Sequence, residues 1–450
     1  MTGEPVASQA VKKKKAFTGS PILVDPTDIC NAVVGLKGTR VLHYQRQGPM
    51  AEIGIEQITG EILCPKCQSV ARVKDRPWVN YVDLPFGGTP VRIAWRKHRM
   101  VCVEASCDKG SWTHTDHRIA AARSLLTTRA AKWATKQVGG GRTVAEVAAE
   151  LDCDWGVVNR AVGIYGQALL DADKKRLGHT TALGFDETLF VRTGRYRTQS
   201  WCTTVCDVGN RQLIDIVESR SFLEVAKWVM ARPPGFKERI VYGTLDMSNA
   251  YAAVFSVTLP KATQVVDRFH VMKLANAALD GVRRRVQTER TGHRGRRDDP
   301  LYKSRKLLVM REKDLDEATS ERLAALLELG DPTAEVALTY RVKEALGEFY
   351  ELGSPEEARR RLEEIASRSM SPASSPELQK LGRTLKRWFE KIMAFHETRI
   401  TNGPTEGLNN LIKRVKRVAF GFTNFDNYRI RALLYAGKPN WRVLDSIVVT

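Results

Sequence analysis

Three times between Thr181 and His270 the chain carries a short apolar run directly into an acid. Thr181-Ala-Leu-Gly-Phe leads to Asp186, Arg239-Ile-Val-Tyr-Gly-Thr-Leu to Asp246, and Gln264-Val-Val to Asp267. Short apolar runs bounded by turn residues read as buried strands. Two more strand-like runs, Ser200 to Cys206 and Gln212 to Val217, are joined by the hairpin-forming turn Asp207-Val-Gly-Asn210. An amphipathic helix follows over Phe222 to Met230, and Ser248 is placed to cap another. The order is β-β-β-α-β-α-β, which commits this part of the chain to a mixed sheet with helices against it.

That order is the one found in the ribonuclease-H-like fold. There the first and fourth strands are neighbours, so Asp186 and Asp246 are expected side by side. Adjacent carboxylates repel unless cations lie between them, which suits two Mg²⁺ ions about 4 Å apart. A third acid is expected from a helix. Ile400-Thr-Asn-Gly-Pro-Thr-Glu406 gives a turn, a proline near the helix start and then Glu406. Asn409, Asn410, Lys413, Lys416 and Arg417 follow at spacings of three and four, and are expected to share a face with Glu406 as DNA-backbone contacts. Taken singly, each acid reads equally as a helix cap or a solvated turn residue.

The charge balance names the kind of partner. Lys and Arg number 71 against 51 Asp and Glu, for a net charge of +20 over 450 residues. A surplus of this size fits a polyanion, above all nucleic acid, because each phosphate contact releases counterions. A membrane surface and plain solubilisation are the blander readings. No apolar run reaches 18 residues, so no membrane span is expected. Lys12 to Lys15 are not followed by an apolar stretch, which makes residues 1–16 a disordered basic arm and not an export signal.

Residues 17–117 alternate short apolar runs with Gly, Pro and Thr, and read as a β-rich domain. Strands are expected at Ile22 to Val24, Val33-Val34 and Ile53 to Ile58. Within it, Cys64-Pro-Lys-Cys67 and the pair Cys102 and Cys107 have the spacing of a zinc ribbon holding one structural Zn²⁺. Two unrelated pairs of buried cysteines are the alternative. Trp78-Val79 and Val91 to Trp95 look like the hairpin that joins the pairs. Arg92, Arg96, Lys97 and Arg99 are expected on or near the ribbon, with Arg96 and Lys97 as DNA contacts. The other cysteines, Cys30, Cys153, Cys202 and Cys206, read as core.

Residues 118–178 are Ala-rich and helical. Thr143-Val-Ala-Glu146 is a capping box, and Val144, Val147, Ala148 and Leu151 recur at helical spacing. Asp154 can start a second helix burying Val157, Val158, Ala161 and Val162. This is a helix-turn-helix pattern with Trp155, Asn159 and Arg160 as DNA contacts, although an ordinary helical hairpin fits this motif equally well. The remaining chain divides into 179–276 and 397–450 as the two parts of the core. Between them, 277–396 forms an all-helical insertion. Trp388 within it reads as a packing residue, with stacking on an unpaired base as the alternative. The fold class is therefore multidomain α/β, a ribonuclease-H-like core with a helical insertion, preceded by a zinc ribbon and a helix-turn-helix domain.

These blocks together resemble the ISL-three family of bacterial insertion-sequence transposases, within the DDE class. The resemblance rests on the four-cysteine ribbon, the helix-turn-helix, Gly-Phe-Asp186-Glu, Leu-Asp246-Met-Ser, Val-Asp267-Arg-Phe-His270, and Thr-Asn-Gly-Pro-Thr-Glu406-Gly-Leu-Asn-Asn-Leu-Ile-Lys413. It implies Asp186, Asp246 and Glu406 as a metal-binding triad for two Mg²⁺, with Mn²⁺ able to substitute. It also implies that Asp267 and His270 form a D-x-x-H signature beside the site; His270 reads equally as a core histidine. The expected partner is double-stranded DNA, both terminal inverted repeats and target, handled by a homodimer or larger assembly in the bacterial cytoplasm near the nucleoid. A domesticated DNA-binding regulator without cleavage is the main alternative, and a nuclease of junctions or hybrids the lesser one.

Overall fold

The computed structural model describes residues 26–293 and 295–449. The basic arm and the strand expected at Ile22 to Val24 lie outside them. The described residues divide into two compact units, 26–130 and 131–449.

The first unit opens with helix α1 (Pro26–Val34). Val33 and Val34, expected in a strand, instead close this helix; Val34 is buried while Val33 and Cys30 are exposed. Cys30 is therefore not a core residue. Strands β1 (Thr39–Gln47), β2 (Met50–Gln57), β3 (Ala71–Asp75), β4 (Trp78–Phe86), β5 (Thr89–Arg96), β6 (Arg99–Cys102) and β7 (Ser111–Thr113) follow. They form two sheets, β1-β2-β5-β4 and β3-β6-β7. The β4–β5 hairpin forms as expected but belongs to the larger sheet, whose core is Ile55, Tyr81, Val91, Ile93, Trp95 and Ile119. Of the four paired cysteines, Cys102 ends β6 of the smaller sheet, and Cys64, Cys67 and Cys107 lie outside the strands. Alternating Val91, Ile93 and Trp95 need a buried face, and the larger sheet supplies it. Its deepest acid, Asp83, is fully buried and takes Arg129 and the Thr127 hydroxyl as partners, as a buried charge must.

The second unit begins with α2 (Thr128–Gly139), α3 (Val144–Leu151) and α4 (Trp155–Ala172). The capping box is formed in full, and Val144, Val147, Ala148 and Leu151 are buried. Asp152 takes a left-handed conformation at φ 51° and turns the chain into α4. Asp154 stands at the α4 N-cap without a side-chain capping bond, and Val157 is only half-buried.

The sheet follows: β8 (Ala182–Thr193), β9 (Thr198–Asp207), β10 (Gln212–Val217), helices α5 (Phe222–Met230) and α6 (Pro234–Arg239), β11 (Tyr242–Leu245), α7 (Asn249–Thr258) and β12 (Thr263–Val266). The spatial order is β10-β9-β8-β11-β12, antiparallel across β10, β9 and β8 and parallel across β8, β11 and β12. β8 does not stop near Asp186 but runs seven residues further, paired with β9 almost throughout. The Arg239 run is shorter than expected, because α6 takes its first residue.

One face of the sheet packs Leu183, Phe185, Leu245 and Val266 against α7, through Tyr251 and Phe255. Gly243 permits that approach, since a Cβ there would stand 2.4 Å from the Phe255 ring. The helical stretch consists of α8 (Arg268–Thr291), α9 (Pro300–Ser304), α10 (Glu317–Gly330), α11 (Glu335–Phe349), α12 (Pro355–Ser369), α13 (Pro376–Arg387) and α14 (Phe389–Thr398). It is built on two cores. Phe349, Leu362, Leu385, Trp388 and Ile392 join the core of the sheet. Leu279, Val286, Leu301, Leu323 and Val336 form a separate one.

The other sheet face receives α15 (Gly403–Val418) and α16 (Phe425–Ala436), with α17 (Trp441–Ser446) last. Cys202 and Cys206, spaced by four on β9, are buried there beside Leu408, Ile412 and Tyr428, as alternation along a strand requires. Gly184 faces the start of α15. A Cβ at that position would lie 2.8 Å from each of Thr405 Oγ1, Thr244 Oγ1 and Val208 Cγ2. Gly184→Ala is expected to lower the unfolding free energy by roughly 1–3 kcal/mol through overpacking. The check is the urea midpoint at constant slope; an unmoved midpoint would mean that α15 yields without cost.

Candidate functional site

The three apolar runs end at one level of the sheet. Phe185 pairs with Leu245 and Leu245 with Val266, so Asp186, Asp246 and Asp267 come next in sequence on three adjacent strands. β11 and β12 end where their acids stand, while β8 runs on past Asp186. Asp267 also starts α8, which brings His270 back over it one turn later, with Nδ1 3.5 Å from Asp267 Oδ2.

Helix α15 closes the group. Asn402 is fully buried at its N-cap position. Its Oδ1 accepts from the hydroxyls of Thr244 (2.8 Å) and Thr405 (2.6 Å). Its backbone N–H donates to Asp267 Oδ1 at 3.0 Å. One turn along the helix is Glu406, and one more brings Asn409, whose amide donates to Asp186 Oδ2 at 2.6 Å and accepts from the Thr188 hydroxyl at 3.1 Å. Asp186 Oδ1 takes the N–H of Glu187. One donor atom from each of Asp267, His270 and Glu406 lies within 4.8 Å of the other two. This is the tightest set in the cluster; Asp186 and Asp246 join it through strand register and mutual repulsion.

Charge is crowded here. Burial raises the carboxyl of Asp186, partly opposed by the bond from Glu187. Burial also raises Glu406, and Asp267 and Asp186 push it further. Asp246 moves from 3.8 to about 6, first by burial and then by repulsion from Asp186 and Glu187, with His270 working against the shift. The imidazole of His270 is raised by its contact with Asp267. Asp246 Oδ1 and Asp267 Oδ2 are buried without any hydrogen-bond partner. Buried carboxylate oxygens left bare are costly unless a cation meets them. Hard oxygen donors, crowded and unsatisfied, fit a divalent cation of the Mg²⁺ class.

A second candidate centre lies in the first unit. Cys64, Cys67, Cys102 and Cys107 converge, with all four sulfurs within 4.8 Å of one another. Cys64 and Cys107 are 3.8 Å apart, Cys67 and Cys102 3.4 Å. Four sulfurs each about 2.3 Å from a tetrahedral Zn²⁺ would stand at nearly these separations. The Ser69 backbone N–H and hydroxyl hold the Cys67 thiol down at about 6, in the thiolate form a metal requires.

The expected DNA contacts divide. Trp155 is 52% exposed at the start of α4, Arg160 is exposed and Asn159 half-buried. Asn410, Lys413 and Arg417 are exposed along α15. Asn409 and Lys416 are not open to a phosphate. Asn409 is buried on Asp186, and Lys416 donates to the carbonyls of Leu189 and Phe190, both at 2.7 Å. Seven residues make nearly two whole turns, so these two share one angular position on the sheet side of the helix. Lys97 is buried too, its ammonium 4.3 Å from the centre of the Trp95 ring and 5.3 Å from Tyr81. Arg96 is half-buried beside Trp78 on the larger sheet, and not on the ribbon.

The Asp246 shift has a stability consequence. A carboxyl raised in the folded state contributes stability below its ordinary value of 3.8, and that contribution is lost as pH rises through about 6. In chelator near neutral pH, Asp246→Asn is therefore expected to melt higher than the wild type, by about 2–4 °C for each kcal/mol of repulsion relieved. A variant melting at or below the wild type would contradict a destabilising charge at this position.

Residues 183–432 match a family model described as transposase, and residues 60–107 match one described as zinc-finger of transposase IS204/IS1001/IS1096/IS1165. The transposase for insertion sequence element IS1001 of Bordetella parapertussis is 28% identical over 258 residues, which cover 56% of this chain and 60% of that relative. The transposase for insertion sequence element IS1557 of Mycobacterium tuberculosis is 27% identical over 286 residues, covering 58% of this chain and 62% of it. The chain thus spans about three fifths of the length of these curated relatives. Among solved structures, the Drosophila P element transposase strand transfer complex matches 71% of this chain and 94% of its own at a TM-score of 0.36 and 9% identity.

Proposed function

The chain belongs to the DDE-class insertion-sequence transposases of the ISL-three family, and from that premise we propose that its acid cluster cleaves the ends of a DNA element and joins the freed 3′-OH to target DNA. The observation that carries this reading is the closeness of Asp267, His270 and Glu406, with Asp186 and Asp246 at the same level on the adjacent strands and Asp246 Oδ1 buried without a hydrogen-bond partner. The strand order and the arrival of Glu406 on a late helix support a ribonuclease-H-like core.

Asp186, Asp246 and Glu406 would hold two divalent cations, with Asp267 and His270 at their edge. Bound there, such ions supply Lewis-acid stabilisation of the phosphoryl and leaving oxygens and an ionised water at neutral pH. The protein's own groups fix the geometry. Asn409 and the Glu187 N–H hold both oxygens of Asp186, leaving its free lone pairs aimed by strand and helix together. Asn402 ties Asp267 to the start of α15, so that Glu406 and Asp267 keep their spacing. His270, favoured as imidazolium by Asp267, offers a positive charge to a non-bridging phosphate oxygen. No serine or tyrosine nucleophile is needed, since water and then the 3′-OH occupy the same place in turn.

The helices α3 and α4, joined at Asp152, support a helix-turn-helix reading with Trp155, Asn159 and Arg160 in the major groove. The exposed Asn410, Lys413 and Arg417 would follow a DNA strand leaving the acid cluster. The four-cysteine cluster would hold one structural Zn²⁺ whose binding energy folds the ribbon. Bringing two element ends together would require at least two copies of the chain.

The test is cleavage of a labelled duplex carrying the inverted repeats that flank the gene, in Mg²⁺ and in EDTA. Nicking to a 3′-OH is expected only with the metal. Asp246→Asn and Glu406→Gln should each slow it by about 10²–10³-fold or more while end binding persists. Cleavage that survives EDTA, or an equally active Asp246→Asn protein, would refute the mechanism; tight binding without nicking by any form would point to a regulator. Metal analysis should find one zinc per chain, lost in Cys67→Ser together with the thermal transition of the ribbon. A purified protein with no zinc, melting alike with and without chelator, would remove the structural-metal reading.

A further inference from the structure

A cavity of about 890 Å³ opens beside the acid cluster, with Asp267 and Glu406 in its wall. That volume is in the range of small-molecule pockets. Phe269, on the first turn of α8, lines it and is 53% exposed. Arg268 and Lys273 line it from the same helix, are exposed, and have no ion-pair partner among the described residues. Asn276 Oδ1 and Tyr350 Oη are buried at the same cavity without a hydrogen bond. Two further cations in the wall, Arg311 and Lys313, are already held by Glu344 and Glu351.

An open ring face, two free cations, an unpaired amide oxygen and an unpaired hydroxyl are the groups that one nucleotide engages. A base stacks on an aromatic ring, its edge pairs with an amide and a hydroxyl, and its phosphate meets the cations. We propose that this pocket receives a single nucleotide of the DNA, unstacked from the duplex, next to the phosphate cut at the acid cluster. The inference rests on the reading of that cluster as a DNA-cleaving site. A base taken out of the stack exposes the neighbouring phosphate, and the cost of unpairing it is offset by stacking on Phe269. Charge favours a DNA-borne nucleotide over a free triphosphate. The wall holds four acids, Asp267, Asp314, Glu351 and Glu406, and four cations, Arg268, Lys273, Arg311 and Lys313, a near-neutral balance that suits one phosphate better than three.

The experiment uses the full chain in chelator, so that the DNA end binds uncut. Duplex ends carry 2-aminopurine at single positions on either side of the cleaved phosphate, and binding is followed by anisotropy in the same sample. One position is expected to change its fluorescence from the duplex level on binding. In Phe269→Ala that signal should rise as the quenching ring is lost, and end affinity should fall about five- to a hundredfold, the scale of one base–aromatic stack. Lys273→Ala, a surface change, should weaken binding while leaving the signal at saturation. Duplex-level fluorescence at every position, in samples shown by anisotropy to be fully bound, overturns the proposal and leaves the cleavage reading intact. No end binding at all overturns both. Retention of one ATP per chain in equilibrium dialysis, lost in Phe269→Ala while the DNA signal stays flat, assigns the pocket to a free nucleotide instead.

Discussion

The side chain of Asn402 decides where helix α15 begins and what it covers. With one oxygen it takes two hydroxyls, from the sheet at Thr244 and from its own helix at Thr405, and with its backbone it reaches Asp267. All three partners are buried, so neither hydroxyl has water to fall back on. The arrangement works because Gly184 leaves the space that Thr405 fills. Glu406 inherits its position from this junction. A carboxylate placed by a surface loop could drift from its neighbours; one placed a single residue after such a junction is held among acids that repel it.

That repulsion and the precision of the fold are two aspects of one design. Asp186, Asp246 and Asp267 follow register-paired residues on three adjacent strands, and ladder hydrogen bonds keep them together whether or not their charges favour it. The two sheet faces divide the labour. Odd-numbered residues of β8 such as Leu183 and Phe185 anchor the sheet in the large core with α7 and the inner half of the helical stretch. Even-numbered residues, Gly184, Asp186 and Thr188, face α15, where Asn409 meets both Asp186 and Thr188. Stability is concentrated on one side so that the other can hold unfavourable charge.

Much of this was legible in the sequence, for physical reasons. Apolar runs ending in acids set out the strands, and a β-β-β-α-β-α-β order fixed which would be neighbours. The spacing of Cys64, Cys67, Cys102 and Cys107 gave a cluster that geometry bears out. Val33-Val34 misled because two β-branched residues end a helix as readily as they begin a strand; α1 needed only one buried side there. The β4–β5 hairpin was visible, but not its sheet, since pairing partners at β1 and β2 are set by tertiary packing. The basic stripe on α15 was half right. Periodicity places Asn409 and Lys416 near Glu406 but does not say that their common side meets β8, where one steadies an acid and the other covers two carbonyls. Asn402 carried the faint signal of an N-cap type before Gly-Pro, and its role could be recognised only with Thr244 beside it.

The separation of Asp267 from Glu406 along the chain bears on how the protein is made. Everything N-terminal to α8, including α3 and α4 and the five-stranded sheet, leaves the ribosome before the helical stretch. At about 5–20 residues per second, roughly 10–30 s pass between the synthesis of Asp267 and that of Glu406. During that interval the nascent chain carries its candidate groove-reading helices and four of its five clustered polar groups, but not the helix that completes them. If the acid cluster cuts DNA as proposed, a nascent chain would hold its groove-reading helices before it gains the means to cut. On that reading, the late arrival of one carboxylate would separate finding a site from acting on it, through the timing of synthesis alone.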